Sequence, residues 1–293
     1  MSCLLEKFQT NKLLSELSTF GIGGPAEFFV EVHALSEMQE ILPYCKKQRL
    51  PYIIIGKGSN VLFDDRGFKG LAILNKIAFC EYSNDQVYAG AGYSFSLLGV
   101  QTARKGFSGL EFASGIPGTV GGAVFMNAGA SGGSTSDVTS EVHFVNEEGE
   151  LLIFSKDTIE FRYRFSSFQT LRGAIIGAKF ALTPSKEARQ KQLGMVDYRT
   201  RTQPYGEKSA GCVFRNPLGG AAGSLIQECG LKGRSMGEAQ VSMLHANFIV
   251  NLGNATAKDV KRLAELVQAE VKQQKNVDLE FEVRMIPYEI QGN

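Results

Sequence analysis

GLEFASGIPGTVGGAVFMNAGA, residues 109–130, threads six glycines through small and apolar residues and sets Ser114, Pro117 and Thr119 among them. Glycines placed this way remove side-chain bulk and bare successive backbone N–H groups, the make-up of a concave nest for phosphate oxygens. Two further clusters precede it, FGIGGPAEF (20–28) and GKGSNVLF (56–63). None has the G-x-x-x-x-G-K-[ST] spacing of a phosphate loop. GIGGPA approaches G-x-G-x-x-A, but it follows no apolar strand and contains Pro25. Any one cluster alone reads as a tight turn. Three within the first 130 residues, in a chain with 33 glycines among 293 residues, favour a large diphosphate-containing cofactor. The residues expected to hold it are Gly56, Lys57, Gly58, Ser59 and Asn60, then Ser114, Gly115, Pro117, Gly118, Thr119, Gly122 and Ala123. The Ser59, Asn60, Ser114 and Thr119 side chains add short polar donors.

With 31 basic and 30 acidic residues, the charge balance gives no bias toward nucleic acid or a membrane surface. No apolar run approaches the length of a membrane span. The opening MSCLLEKFQTNK lacks the apolar core of a secretory signal. The five cysteines (Cys3, Cys45, Cys80, Cys212, Cys229) form no C-x-x-C pair and the three histidines are isolated, so no metal site is expected. These features point to a reduced, cytoplasmic compartment.

The periodicity is mixed. LSEMQEILPYCKK (35–47) puts Met38, Ile41, Leu42 and Cys45 on one helical face, with Ser36 and Gln39 as a capping box and Pro43 as a kink. LPYIIIG (50–56) reads as a strand buried on both faces. Between 70 and 184 the strand-like runs GLAIL, QVYAGAG, VHFVN, LLIFS and AIIGAKFAL recur around a helix at 95–107. The last helix, TAKDVKRLAELVQAEVKQQ (256–274), carries a Val260, Leu263, Val267, Val271 stripe and a Thr256/Asp259 cap. The fold class is α+β, and polar PSKEARQK (184–191) is the expected domain boundary.

STFGIGGPAEFF, IIIGKGSNVLF, the 109–130 stretch, FRYRFSSF, SAGCVFRNP, HANFIVN and LEFEVRMI follow one another in an order and spacing that resembles the UDP-N-acetylenolpyruvoylglucosamine reductases, the MurB flavoenzymes. The resemblance runs from about residue 18 to residue 287. It implies a FAD-binding fold of the vanillyl-alcohol-oxidase type, in two subdomains (1–75 and 76–184), with a C-terminal α+β substrate domain (185–293). It also implies noncovalent FAD, NADPH as hydride donor, and reduction of an enolpyruvyl UDP-sugar to UDP-N-acetylmuramate for peptidoglycan. The cytoplasmic enzyme is expected to be a monomer, without nucleic-acid or membrane partners. The compact stretches after Ala181 and from 223 to 242 resemble the subtype that lacks a substrate-covering tyrosine loop. The competing enzymatic reading is another flavoprotein of the superfamily, such as a hydroxyacid or alcohol oxidase. A non-catalytic nucleotide-binding protein is the other.

An enolpyruvyl group is an alkene bearing a carboxylate. Hydride at its terminal carbon, C3, drives charge onto C2 and the carboxylate, so a proton donor at C2 and cationic groups on the carboxylate lower the barrier. By resemblance Cys212 in SAGCVFRNP stands where the family usually has a serine proton donor. A lone thiol more often packs as a small hydrophobe, but its ordinary pKa of ~8.5 makes it the readier acid of the two. Arg164 matches the family's catalytic arginine, with Arg162 as its rival on the same strand face. Glu282 matches the catalytic glutamate, with Glu280 as rival and Phe281 where the family commonly has proline. Asn216, Arg215, Asn247 and Arg284 are the expected substrate contacts, and His245 reads as structural.

Overall fold

The computed structural model describes residues 4–290, so Cys3 lies outside the described residues. The chain divides into two compact units. One comprises the residues up to Gln9, Phe29–Lys57 and Leu71–Arg199; the other comprises Thr10–Phe28, Gly58–Gly70 and the residues from Thr200 onward.

In the first unit α1 (Leu35–Gln48) buries Met38, Ile41, Leu42 and Cys45, as its periodicity requires. Its cap differs from expectation: Ala34 is the N-cap, and the Glu37 carboxylate accepts the His33 and Ala34 N–H groups at 2.6 and 3.1 Å. Ser36 already lies inside the first turn, too late to cap it. The helix continues through Pro43. The strand Tyr52–Ile55 pairs parallel with Leu71–Leu74, but Ile53 and Ile54 remain half-buried rather than enclosed on both faces. An antiparallel sheet follows in the order Leu151–Ser155, Thr139–Asn146, Gly173–Ala181, Gln86–Gly90, Cys80–Ser83. Alternate residues Val87, Ala89, Val142, Phe144, Ala178 and Phe180 point into one core with α2 (Phe95–Arg104) and α3 (Val120–Met126). PSKEARQK, the expected boundary, is partly helical. From Ala188 it forms the start of α4 (Ala188–Thr202), because Lys, Glu, Ala, Arg and Gln suit a solvated helix as well as a polar connection.

In the second unit a three-stranded antiparallel sheet (Ser235–Met236, Ala239–Val241, Ile249–Asn251) carries α6 (Ala257–Lys275), while the short α5 (Ala222–Glu228) joins the same core. Val260, Leu263, Val267 and Val271 on α6 are at most 1% exposed, worth about 1.5–3 kcal/mol each. The predicted Thr256/Asp259 cap is present, and Asp65 adds a second anion at this helix start by accepting the Ala257 N–H at 2.7 Å. Strand Arg284–Ile286 runs parallel to Val61–Phe63. Among the described residues no helix is long and apolar enough to cross a membrane.

Candidate active site

In the first unit two of the glycine clusters meet. A Cβ at Gly56 would collide with Thr119 Oγ1, so only glycine lets the chain pass there. Thr119 is the N-cap of α3, and the loop before the helix is clamped by main-chain bonds from Phe95 N–H to Gly118 O (3.0 Å), Val120 N–H to Tyr93 O (2.9 Å) and Gly121 N–H to Ala91 O (2.9 Å). Beside it the Ser114 hydroxyl is buried with no hydrogen-bond partner. An orphaned buried hydroxyl costs about 1–3 kcal/mol, a debt that a ligand oxygen would cancel. Gly115 and Ala123 are buried, and Gly122 is exposed. The Val120, Gly121 and Gly122 N–H groups are taken by Tyr93 O, Ala91 O and Thr119 Oγ1, so the Ser114 and Thr119 hydroxyls are the polar side chains that this glycine-cleared loop offers to an anion such as the expected diphosphate. The 20–28 cluster does another job. A Cβ at Gly24 would strike the Asp65 carbonyl and lie 2.6 Å from Gly67 N, so these glycines serve a close crossing of two chain segments.

Arg164 also lies in the first unit. Phe161–Arg162 and Phe165–Ser166 form a hairpin, and Tyr163 with Arg164 makes its two-residue turn. Arg164 has φ +56°, a left-handed conformation that costs about 1–2 kcal/mol for a non-glycine residue. The same-face expectation for Arg162 and Arg164 therefore fails, since one is on a strand and the other in the turn. Arg162 is bound to Glu160 at 2.8 Å and lies over the Phe165 ring. Gln169 and Asn127, which the motifs did not single out, hold the hairpin: Gln169 Nε2 donates to Arg164 O (3.1 Å) and Phe125 O (2.8 Å), and Asn127 Nδ2 donates to Arg162 O (2.9 Å).

The second unit brings Cys212 and Glu282 into one backbone assembly. Cys212 bridges to Phe248, and Phe214 bridges to Phe281. Val213 N–H donates to Asn247 O, Glu282 N–H to Val213 O and Arg215 N–H to Glu280 O, each at 2.8 Å. The Phe281 and Phe214 rings pack against each other, tilted by 31°, with centroids 5.4 Å apart. Asn60 joins this assembly, since its Nδ2 donates to Glu282 O at 3.2 Å and its carbonyl accepts the Arg284 N–H at 3.0 Å. Ser59 precedes it, half-buried, and Lys57 is exposed.

The expected substrate contacts divide. Arg215 Nε is buried without a partner, and its Nη1 lies 3.7 Å from the mostly exposed Glu280 carboxylate. Arg284 is exposed, and desolvation pushes its guanidinium below the ordinary arginine range. Asn216 is exposed, and its Oδ1 accepts the Ala222 N–H at the start of α5. Asn247 is buried, and its amide is spent on the Phe214 backbone rather than presented to solvent. His245 Nδ1 accepts the Asn247 N–H at 3.2 Å and its ring meets Phe248 edge-on.

Residues 203–286 match the model of the UDP-N-acetylenolpyruvoylglucosamine reductase C-terminal domain, and residues 26–155 match a FAD binding domain. The chain is 56% identical to the UDP-N-acetylenolpyruvoylglucosamine reductase of Protochlamydia amoebophila, over 97% of this chain and 95% of that one. It is 46% identical to that of Chlamydia pneumoniae, over 94% and 91%. The crystal structure of the Thermus caldophilus enzyme superposes with a TM-score of 0.82 at 36% identity, covering 96% of this chain and all of that one. The fold is thus α+β, a FAD-binding domain followed by the reductase C-terminal domain. On these grounds the chain belongs to the UDP-N-acetylenolpyruvoylglucosamine reductase family.

Proposed function

We propose that the protein reduces UDP-N-acetylglucosamine enolpyruvate to UDP-N-acetylmuramate with NADPH, through noncovalent FAD, in peptidoglycan precursor synthesis. The observation that carries this reading is the assembly holding Cys212 and Glu282 on neighbouring segments, each tied to Val213 or its flanks. The chemistry FAD supplies when bound is hydride transfer, from NADPH and onto C3 of the enolpyruvyl group. Ser114, Thr119 and the glycine loops hold its diphosphate.

Cys212 holds the proton destined for C2, so its S–H bond breaks as the C2–H bond forms and the thiolate is reprotonated from water. The Arg164 guanidinium binds the carboxylate, where negative charge collects as an enediolate, and a planar fork suits that anion. Glu282 orients the enolpyruvyl group near C2. Arg215, Asn216 and Arg284 contact the UDP-sugar, with the orphaned Arg215 Nε as the clearest unmet donor.

In this reading residues 1–75 and 76–184 form the flavin subdomains and 185–293 the substrate domain. The active form is a cytoplasmic monomer acting on a UDP-sugar, without nucleic-acid or membrane partners. It belongs to the subtype without the tyrosine loop, in keeping with the short run from Ala181 to α4.

The test separates the half-reactions. Cys212→Ala should leave flavin reduction by NADPH intact and slow reoxidation by the UDP-sugar by about 10²–10⁴, with Cys212→Ser retaining turnover. Wild-type reoxidation in Cys212→Ala would remove the role of the thiol.

A further inference from the structure

We infer that Asn247 is a positioning residue for the proton donor, fixing where the segment that carries the Cys212 thiol stands relative to a bound substrate. This inference rests on the reading of Cys212 as the donor. Asn247 is 3% exposed. Its Oδ1 accepts the Phe214 N–H at 3.0 Å, its Nδ2 donates to Phe214 O at 2.8 Å, and its own carbonyl accepts the Val213 N–H at 2.8 Å. One buried side chain and its main chain therefore satisfy the N–H groups of both residues that follow Cys212. The next residue along, Phe248, bridges to Cys212 itself. These bonds set the backbone on the C-terminal side of Cys212 and with it the direction of its side chain.

The same segment carries the glutamate, because Val213 O accepts the Glu282 N–H at 2.8 Å. A shift at Asn247 would therefore move donor and glutamate together relative to a bound substrate. His245 is the titratable group against it, through the Asn247 N–H to Nδ1 bond. Gly223 packs against the same pair, where a Cβ would come within 3.2 Å of His245 Cε1 and 3.6 Å of Asn247 Cβ. Displacing a reacting group by about 1 Å costs on the order of 10² in rate, and that loss should fall on reoxidation by the UDP-sugar, the half-reaction in which both groups act.

The decisive variant is Asn247→Asp, which keeps the shape. Protonated, its carboxyl can accept from Phe214 N–H and donate to Phe214 O as the amide does; ionised, it loses the donor. Stopped-flow half-reactions would be followed across pH, with the wild-type profile as baseline for any titration of His245. At neutral pH reoxidation by the enolpyruvyl UDP-sugar should slow by about 10², while flavin content and reduction by NADPH stay at wild-type values. Acidification should restore Asn247→Asp toward wild type, and Asn247→Ala should show no such rescue. The inference is overturned if Asn247→Asp reoxidises at the wild-type rate, if both half-reactions fall together at every pH, or if the variant never accumulates as a flavoprotein. Cys212→Ala is run in parallel. Its normal reoxidation overturns the donor reading and this inference with it, whereas an inert Cys212→Ala beside an unperturbed Asn247→Asp overturns the positioning role only.

Discussion

Replacing Gly58 by alanine tests whether the 56–60 loop, proposed above to hold the flavin, is shaped by backbone sterics. Gly58 is buried at φ +64°, and its carbonyl accepts the Thr19 N–H at 3.1 Å. A Cβ there would overlap the Leu17 carbonyl oxygen and stand 2.8 Å from Ser18 Cα. The left-handed conformation costs an L-residue about 1–2 kcal/mol. The obstacle is main chain, so the loop must move, and overpacking of that kind adds about 1–3 kcal/mol. Together the penalty is about 2–5 kcal/mol. Two other glycines isolate the terms. Gly219 has φ +83° with nothing within 4 Å of a Cβ, so alanine there meets the conformational term alone. Gly206 meets neither. The assay is flavin per chain after purification, with denaturant unfolding of the apoprotein in the absence and presence of excess FAD. Gly206→Ala should match wild type, Gly219→Ala should lose about 1–2 kcal/mol but keep its flavin, and Gly58→Ala should lose more stability and most of its flavin. If Gly58→Ala behaved like Gly219→Ala in both measurements, the steric reasoning would be refuted.

Further predictions concern the thiols and the acid limit of stability. Cys45 is pushed up to about 12, chiefly by burial and then by the Glu147 carboxylate, and burial raises Cys80 as well. Alkylation at pH 8 followed by peptide mass analysis should therefore find Cys45 unmodified, and activity should fall with the label on Cys212 and be protected by the UDP-sugar; early labelling of Cys45 would contradict this. Glu141 is held below its ordinary value of about 4.3, first by the hydrogen bond from Lys179 and then by His143. A carboxyl depressed in the folded state contributes its stability in full above the unfolded value and loses it as pH falls through the folded one. Glu141→Gln should therefore be less stable than wild type at pH 7, by about 1 kcal/mol or less, with the gap closing below about pH 4. An equal deficit at pH 3 and pH 7, read from unfolding midpoints, would show that the ion pair is not its source.

Much of this architecture was legible in the residues themselves. The α6 stripe and its cap repeat at helical spacing, and the sheet strands alternate, because those patterns are set locally. Motif order singled out Cys212 and Glu282, which the fold holds in one assembly. What escaped reading depends on chain segments far apart in sequence. Gly23 and Gly24 resemble phosphate-loop glycines, yet their need for a missing Cβ arises from the crossing near residues 63–67. Arg162 and Arg164 share a strand face only if the strand continues, and the left-handed turn at Arg164 breaks that alternation. Asn247 is 33 residues from the Phe214 backbone it binds, so no local pattern marks it as a buried support rather than a ligand contact. PSKEARQK has a composition equally suited to a linker and to the exposed helix it begins.

The central claim is that electrons pass from NADPH through flavin to the enolpyruvyl UDP-sugar, with a proton delivered to C2. An anaerobic absorbance titration tests it most directly. NADPH should bleach the flavin band, and one equivalent of the enolpyruvyl UDP-sugar should restore it, leaving UDP-N-acetylmuramate with solvent deuterium at C2 when the reaction is run in D₂O. Bleached protein that stays colourless after the sugar is added would contradict the account.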